Sequence, residues 1–196
     1  MTDKRIAIIQ GHPDPEGNHF CHALATAYLS GAKSSGHLIQ LIDIAQIEFP
    51  LLRRLVDYTE GDAPESIKQL QPIVQAAQHL VVIYPLWLGT MPAYLKAFFE
   101  QLFRPGFAAI KTAGEKPWER QISEKTAHIV VTMGMNEIIY RSYFMTHGMK
   151  SPEANILAFS GINTIQETLI GSVDSIDDAE RKQWLDKMEL TGSAGM

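Results

Sequence analysis

Apolar residues in this chain fall into short unbroken runs, separated by stretches of helical periodicity. Arg5 to Gln10 (RIAIIQ) is a β-branched run that stops at Gly11, and Leu38 to Asp43 (LIQLID) is a second. Leu80 to Tyr84 (LVVIY) is the strongest, running into Pro85; Ala127 to Thr132 (AHIVVT) is a fourth, ending at Met133-Gly134, and Asn163 to Ile170 is a fifth. Runs this short and continuous predict strands buried on both faces. Between them, Asn18 to Ser34 carries Leu24, Ala25, Tyr28 and Leu29 on one side and stops at Gly36, while Pro64 to Ala77 spaces Ile67, Leu70 and Val74 as a helix does. Pro92 to Phe103 opens on a proline, as helices do. Ile138 to Met149 and Pro152 to Phe159 also read as helices, and Ser175 with Asp178 is placed as a capping box for a last helix through Met188. Pro50 to Gly61 is irregular, Pro105 to Gln121 reads as a long functional loop, and Thr191 to Met196 as a mobile polar tail.

Five strands alternating with helices predict an α/β fold: a flavodoxin-like doubly wound five-stranded parallel sheet, order 2-1-3-4-5, with helices on both faces. The 196 residues show no repeat or linker and are read as one domain, 1–196, with 191–196 as its tail. With 45% hydrophobic and 20% charged residues the composition is that of a globular protein, and a net charge of -5 argues against nucleic acid as a partner. One cysteine, Cys21, rules out an internal disulfide. The amino terminus lacks the pattern of a signal peptide, and no apolar run approaches the roughly 20 residues that span a bilayer, so a cytoplasmic protein without membrane insertion is expected.

In such sheets ligands sit beyond the carboxyl ends of the strands where strand order reverses, here between the first and third. Three loops should therefore carry the chemistry. Gly11 to Cys21 (GHPDPEGNHFC) leads into a helix whose amino terminus suits phosphate; Gly17 permits close approach, Asn18 is the expected N-cap, and His12 can donate to the same phosphate. It is neither a Gly-x-Gly-x-x-Gly fingerprint nor a Walker loop, and a turn without a ligand is equally compatible with it. Tyr84 to Pro92 (YPLWLGTMP) places large apolar residues beyond the central strand, a wall on which an isoalloxazine ring could lie with backbone N–H groups meeting its heteroatoms. The bland alternative is a loop packed on the core. Thr132 to Asn136 precedes a helix on which Tyr140 and His147, seven apart, share a face. Beside a flavin they could stabilise or protonate developing charge; without context, a lone tyrosine or histidine on a helix is more often a packed or surface residue. The seven histidines are scattered and show no metal-ligand spacing.

The stretch from Tyr84 to Ala108 (YPLWLGTMPAYLKAFFEQLFRPGFA) resembles the central motif of the NAD(P)H:quinone reductase family of flavodoxin-like flavoproteins. Gly11-His12-Pro13 with Phe20 is similar to that family's phosphate loop, and Thr132-Met133-Gly134 with Tyr140 to its loop after the fourth strand. Tyr143-Phe144, His147-Gly148, Asn155-Ile156-Leu157 and Phe159-Ser160-Gly161 resemble the bacterial branch, and the resemblance runs from about Arg5 to Ile170. It implies that His12, Asn18, His19, Phe20 and Cys21 surround a flavin phosphate and ribityl chain. Pro85, Leu86, Trp87 and Leu88 would line the isoalloxazine, and Thr132, Met133, Gly134 and Tyr140 would border its pyrimidine end. Tyr140 and His147 would stabilise charge during reduction.

The implied reaction is ping-pong hydride transfer from NAD(P)H through FMN, or FAD, to a quinone or to a nitro or azo compound. The implied assembly is a homodimer, with the aromatic segment Phe98 to Phe107 compatible with either interface or core. The family pattern is broken at His19 and Cys21, by two extra residues in the first loop, by Gly134-Met135 in place of Gly-Gly, and by a tyrosine–histidine spacing of seven rather than six. These departures, with the absence of the larger animal enzymes' carboxyl-terminal extension, leave FMN against FAD open. Two other readings stay open: a flavin-binding regulatory subunit of a membrane transporter, and a flavodoxin-type electron carrier. The carrier fits poorly with the modest acidity and the hydroxyl-poor first loop.

Overall fold

The protein is described by a computed structural model that covers residues 3–111 and 118–196. The strands that are apolar on both faces lie at the centre of the sheet: β1 (Arg5–Gln10), β3 (His79–Pro85) and β6 (Lys125–Thr132) are buried almost throughout. β2 (Leu38–Asp43) and β7 (Ile162–Ile170) mix exposed and buried positions and form the edges. All pairings are parallel and the order is β2-β1-β3-β6-β7, which is the expected 2-1-3-4-5 for the strands of the main sheet. A register shift between Ala127 and His128 marks the β6–β7 pairing.

The crossover helices cover both faces, as parallel strands demand. On one face α1 (Phe20–Ser34) and α8 (Asp178–Ala194) pack Cys21, Leu24, Ala25, Tyr28 and Met188 onto Ile6, Ile8, Val81, Ile83 and Val130. These two helices cross in backbone contact: a Cβ at Gly31 would overlap the Glu189 carbonyl oxygen, and one at Gly192 that of Tyr28. The opposite face is built by α3 (Glu65–Lys68), α4 (Gln71–Ala76), α5 (Ala93–Leu102) and α6 (Glu137–Ser142), with Ile67, Val74, Leu95, Phe98 and Tyr140 over Ile9, Val82 and Val131.

Several boundaries differ from those expected. The helix expected over Pro64 to Ala77 is two, because Pro72 supplies no amide N–H and the chain restarts at α4. The irregular Pro50 to Gly61 contains a short α2 (Leu55–Thr59), held by the buried Arg104. The Arg104 guanidinium donates to the Asp57 and Gly61 carbonyls and to Gln101 Oε1, while Gln101 Nε2 donates to the Pro50 carbonyl. The expected loop from Pro105 to Gln121 carries an antiparallel pair, β4 (Ala109–Lys111) and β5 (Trp118–Arg120); its residues 112–117 lie outside the described ones. Phe98, Phe99 and Phe103 are core, not interface.

The helix expected over Ile138 to Met149 breaks after Ser142 and resumes as α7 (His147–Pro152), followed by a π-helical turn at Glu153–Ala158. Met145 and Thr146 take left-handed φ values of 49° and 54° at the break, and Gly148 then abuts the backbone of Gly89 and Thr90. The last helix is capped by Asp177, whose side chain accepts from Glu180 N, two residues later than the expected box; Ser175 Oγ instead donates to the Ser172 carbonyl. That helix continues to Ala194, so most of the expected tail is helical, and Lys4 Nζ donates to the Gly195 carbonyl. No helix among the described residues is long and apolar enough to cross a membrane.

Candidate functional site

β1, β3 and β6 end side by side, and their carboxyl-terminal loops meet beyond the sheet. In the first loop, Gly17 and Asn18 both take positive φ, 75° and 63°. Two successive left-handed residues swing the chain into α1, so Asn18 is not the N-cap. His19 occupies that position and its side chain caps nothing, leaving the first-turn N–H groups of α1 without a side-chain partner.

Around that helix start stand three imidazoles. The rings of His12 and His19 stack at 3.7 Å, and His22 lies 5.6 Å from the first and 5.7 Å from the second. Gln10, buried at the end of β1, organises them. Its Oε1 accepts from His12 N, which fixes the amide orientation, and its Nε2 then donates to His22 Nε2 at 2.6 Å and to Asp43 Oδ1 at 3.2 Å. His22 is therefore the neutral tautomer with its proton on Nδ1, and that buried N–H has no acceptor. His12 Nδ1 accepts from Asp14 N at 3.2 Å, which places the His12 proton on Nε2. His19 Nε2 meets Asp14 Oδ2 at 2.7 Å. Burial, with His19 and His22 as positive neighbours when charged, lowers His12 to a pKa of about 4; burial likewise lowers His22. The N–H of Glu16 and then His19 hold the Asp14 carboxyl below its usual value. Among the described residues no group of three or more His, Cys, Asp or Glu is arranged to hold a metal ion.

Cys21 does not face this opening. Its thiol is buried under the sheet 3.2 Å from Thr132 Oγ1, and burial pushes its pKa up to about 12. Only its backbone N–H is available to a ligand. Phe20 is half-buried beneath the guanidinium of Arg181, 5.4 Å from the ring centroid.

The second loop presents an apolar wall, as expected: Trp87 is 48% exposed, Leu88 fully so, and Trp87 stands edge-on to His12 at 5.7 Å. Much of its backbone is already committed. Leu86 N donates to the Thr132 carbonyl, and Trp87 and Thr90 exchange both N–H bonds across a tight turn with Leu88 and Gly89 at positive φ. The N–H groups of Leu88 and Gly89 are the ones left for a ligand. Pro85 is buried and Leu86 half-buried, so the wall is Trp87 and Leu88.

In the third loop Thr132 and Met133 are buried and Met133 is spanned by bonds to Ile170 and Val173. Gly134 lies open, with Asp174 so close that a Cβ there would meet its carboxylate. Tyr140 and His147 do not share a helix face, because the break lies between them. Tyr140 is buried and burial raises its pKa, against the pull of the Met149 and Gly148 backbone N–H groups that its hydroxyl faces; His147 is exposed next to Gly148, on the segment that touches the second loop. Gln10, Asp14, His22, Asp43, Asp174 and Arg181 escaped the sequence reading. A polar residue ending a buried strand and a histidine three after His19 were the signals available for Gln10 and His22. A separate groove of about 470 Å³ lined by Arg53, Tyr58, Lys96, Phe99 and Phe159 shares no residue with these loops.

Strand order and loop placement define an α/β protein of the flavodoxin-like class, with the candidate site at the reversal between β1 and β3. The chain belongs to the family described by the flavodoxin-like fold, which it matches over residues 4–190. The resemblance to NAD(P)H:quinone reductases is borne out by its relatives. It is 26% identical over 183 residues to an uncharacterized NAD(P)H oxidoreductase of Haemophilus influenzae, covering 91% of this chain and 89% of that one. The NAD(P)H:quinone oxidoreductase of Methanothermobacter marburgensis superposes with a TM-score of 0.83 at 20% identity over 100% of both chains. An FMN-dependent NADH-azoreductase of Bacillus anthracis, solved with FMN, superposes at 0.74 with 17% identity, over 97% of this chain and 98% of that one. At these identities the two structures speak to the fold alone.

Proposed function

We propose that this protein is a flavin-dependent NAD(P)H oxidoreductase that passes a hydride through FMN, or FAD, to a quinone or a similarly flat nitro or azo acceptor. One observation carries the proposal: at the sheet's switch point an uncapped helix start ringed with histidine donors stands beside an exposed aromatic wall. A group with a phosphate at one end and a planar apolar ring at the other suits both halves. The named relatives support the same chemistry.

The residues divide the work. The first turn of α1 with His12, Asn18, His19 and Phe20 would hold the phosphate and chain, Cys21 contributing its N–H only. Trp87 and Leu88 would back the ring, with the free N–H groups of Leu88 and Gly89 toward its polar edge, and Gly134 would admit its pyrimidine end between Thr132 and Asp174. A bound flavin supplies hydride acceptance and donation; the protein orients it and excludes water. NAD(P)H and acceptor would use the one open face beside Trp87 in turn, which is a ping-pong order. His147 would meet developing charge with its accessible imidazole, while Tyr140 acts as a positioning residue that anchors α6 in the core. Ile138, Ile139, Tyr143 and Met145 expose an apolar surface beside the site, which supports a homodimer. A cytoplasmic location belongs to the same proposal.

The test is the visible spectrum of purified protein loaded with FMN, recorded anaerobically before and after NADPH. Flavin bands that bleach with NADPH and return with a quinone are expected. Bleaching only through a reductase protein would make it an electron carrier, and failure to take up FMN or FAD would overturn the reading.

A further inference from the structure

We propose that the groove between α2, α5 and the π-helical turn is a second binding site, which takes a small flat aromatic carboxylate. It shares no residue with the loops at the strand ends, so it stands or falls apart from the flavin reading. Its volume of about 470 Å³ is that of a small-molecule cleft. The floor comes from the end of α5, where Phe99 and Phe103 are buried. One wall is α2 with the residues before it, bearing Arg53 and Tyr58. The other follows the π-helical turn, where Phe159 is 51% exposed and Ser160 is buried. The wall that carries Arg53 and Tyr58 is set in place before any ligand arrives, because Arg104 holds the carbonyls of Asp57 and Gly61.

The polar groups of the groove fall into two sets. Arg54 is held by both carboxylate oxygens of Asp57, and Lys96 by Glu100. Arg53, Tyr58 and Ser160 make no side-chain hydrogen bond among the described residues. All three are donors: one guanidinium and two hydroxyls. Open donors call for an acceptor. Arg53, Arg54 and Lys96 set against Asp57 and Glu100 leave one positive charge over, so charge complementarity selects a monoanion. A phosphomonoester dianion would exceed that charge, whereas a carboxylate matches both the charge and the planar fork of Arg53. Phe99, Phe103 and Phe159 then offer their rings to a flat apolar body attached to the carboxylate. The surface proposed above for the dimer, around Tyr143, is made of other residues, which leaves this groove to a ligand.

The experiment titrates cinnamate into the full-length protein by calorimetry, with FMN and menadione in excess so that the candidate site at the strand ends is filled. Cinnamyl alcohol, the same flat body without the charge, is the control. Cinnamate should bind one site per chain, about tenfold tighter than the alcohol, and more weakly at about 0.5 M NaCl. Arg53→Gln should weaken cinnamate by about tenfold and leave the alcohol unchanged. Arg53 is exposed, so the variant should keep the parent's circular dichroism and thermal midpoint. Tyr58→Phe should weaken cinnamate by severalfold. No binding at millimolar cinnamate, binding that Arg53→Gln does not weaken, or binding that menadione displaces would each overturn the inference. Monomers produced from a dimer by Arg53→Glu in light scattering would show that a second copy covers the groove, and would overturn it too. None of these outcomes bears on the flavin reading, which the visible spectrum decides separately.

Discussion

Tyr140 and His147 show how far a residue's role depends on where its polar atom ends up. The Tyr140 hydroxyl is buried against the backbone N–H groups of Gly148 and Met149, so Tyr140→Phe, which takes an acceptor from them, should lower the thermal midpoint by about 2–4 °C. NADPH-dependent flavin reduction should stay within about threefold of the parent, since the ring still anchors α6. His147→Gln should instead slow reduction by about tenfold or more and alter its pH profile, as loss of an accessible acid–base group does. Stopped-flow traces of the two variants separate a positioning role from a charge-handling one; equal losses would contradict the assignment. Neither role was legible in the spacing of seven, because that spacing assumes an unbroken helix. The break at Met145 and Thr146 is a tertiary decision, made where Gly148 packs on Gly89.

Among the elements, the segment from Pro50 to Gly61 has little structure of its own, and α2 is five residues long. Helices this short are not stable alone. What holds the segment is one side chain, Arg104, reaching from the end of α5 to two carbonyls of the segment while Gln101 takes a third. Arg104→Met keeps much of the packing and removes the donors, and should cost about 3 kcal/mol in urea unfolding by leaving buried carbonyls unpaired. Faster proteolysis within 50–61 should accompany the loss. A change under about 0.5 kcal/mol would show that packing alone fastens the segment. An arginine just past the end of a helix reads in sequence as an ordinary surface residue, and only the chain folding back over it makes it a clasp.

For the molecule as a whole, two fully buried histidines set the response to acid. His79 on β3 bonds Thr126 and His128 on β6 bonds Thr168, and burial lowers both to a pKa of about 4. Their unfolded value is 6.5. Below 6.5 the unfolded chain binds protons that the folded chain refuses, so their contribution is complete above 6.5 and is lost as pH falls toward 4. Each accounts for on the order of 3 kcal/mol over that window. Urea midpoints should fall steeply between pH 6.5 and 4.5, and His128→Gln, which cannot take the proton, should flatten part of the fall. A midpoint constant across that window would refute the burial argument.

The assembly is tested at the same scale. Light scattering should give twice the 21.9 kDa chain mass, and Tyr143→Glu, which charges the exposed apolar surface, should yield monomers with reduced activity. A parent that runs as a monomer would remove the dimer from the proposal.

The sequence by itself determined the five strands of the main sheet, their order and the three loops at their ends. Burial on both faces demands continuous apolar runs, and parallel pairing leaves few ways to connect them. It also marked His12, Trp87 and Gly134, whose loops leave strand ends at the reversal point. It could not reveal which way Cys21 turns, that Gln10 locks His22, that Asp174 closes on Gly134, or that Arg181 reaches Phe20 from the far end of the chain. Those depend on side-chain direction at a helix start and on contacts between distant segments. Periodicity records which residues are apolar; hydrogen-bond partners are chosen only when the whole chain has closed around them.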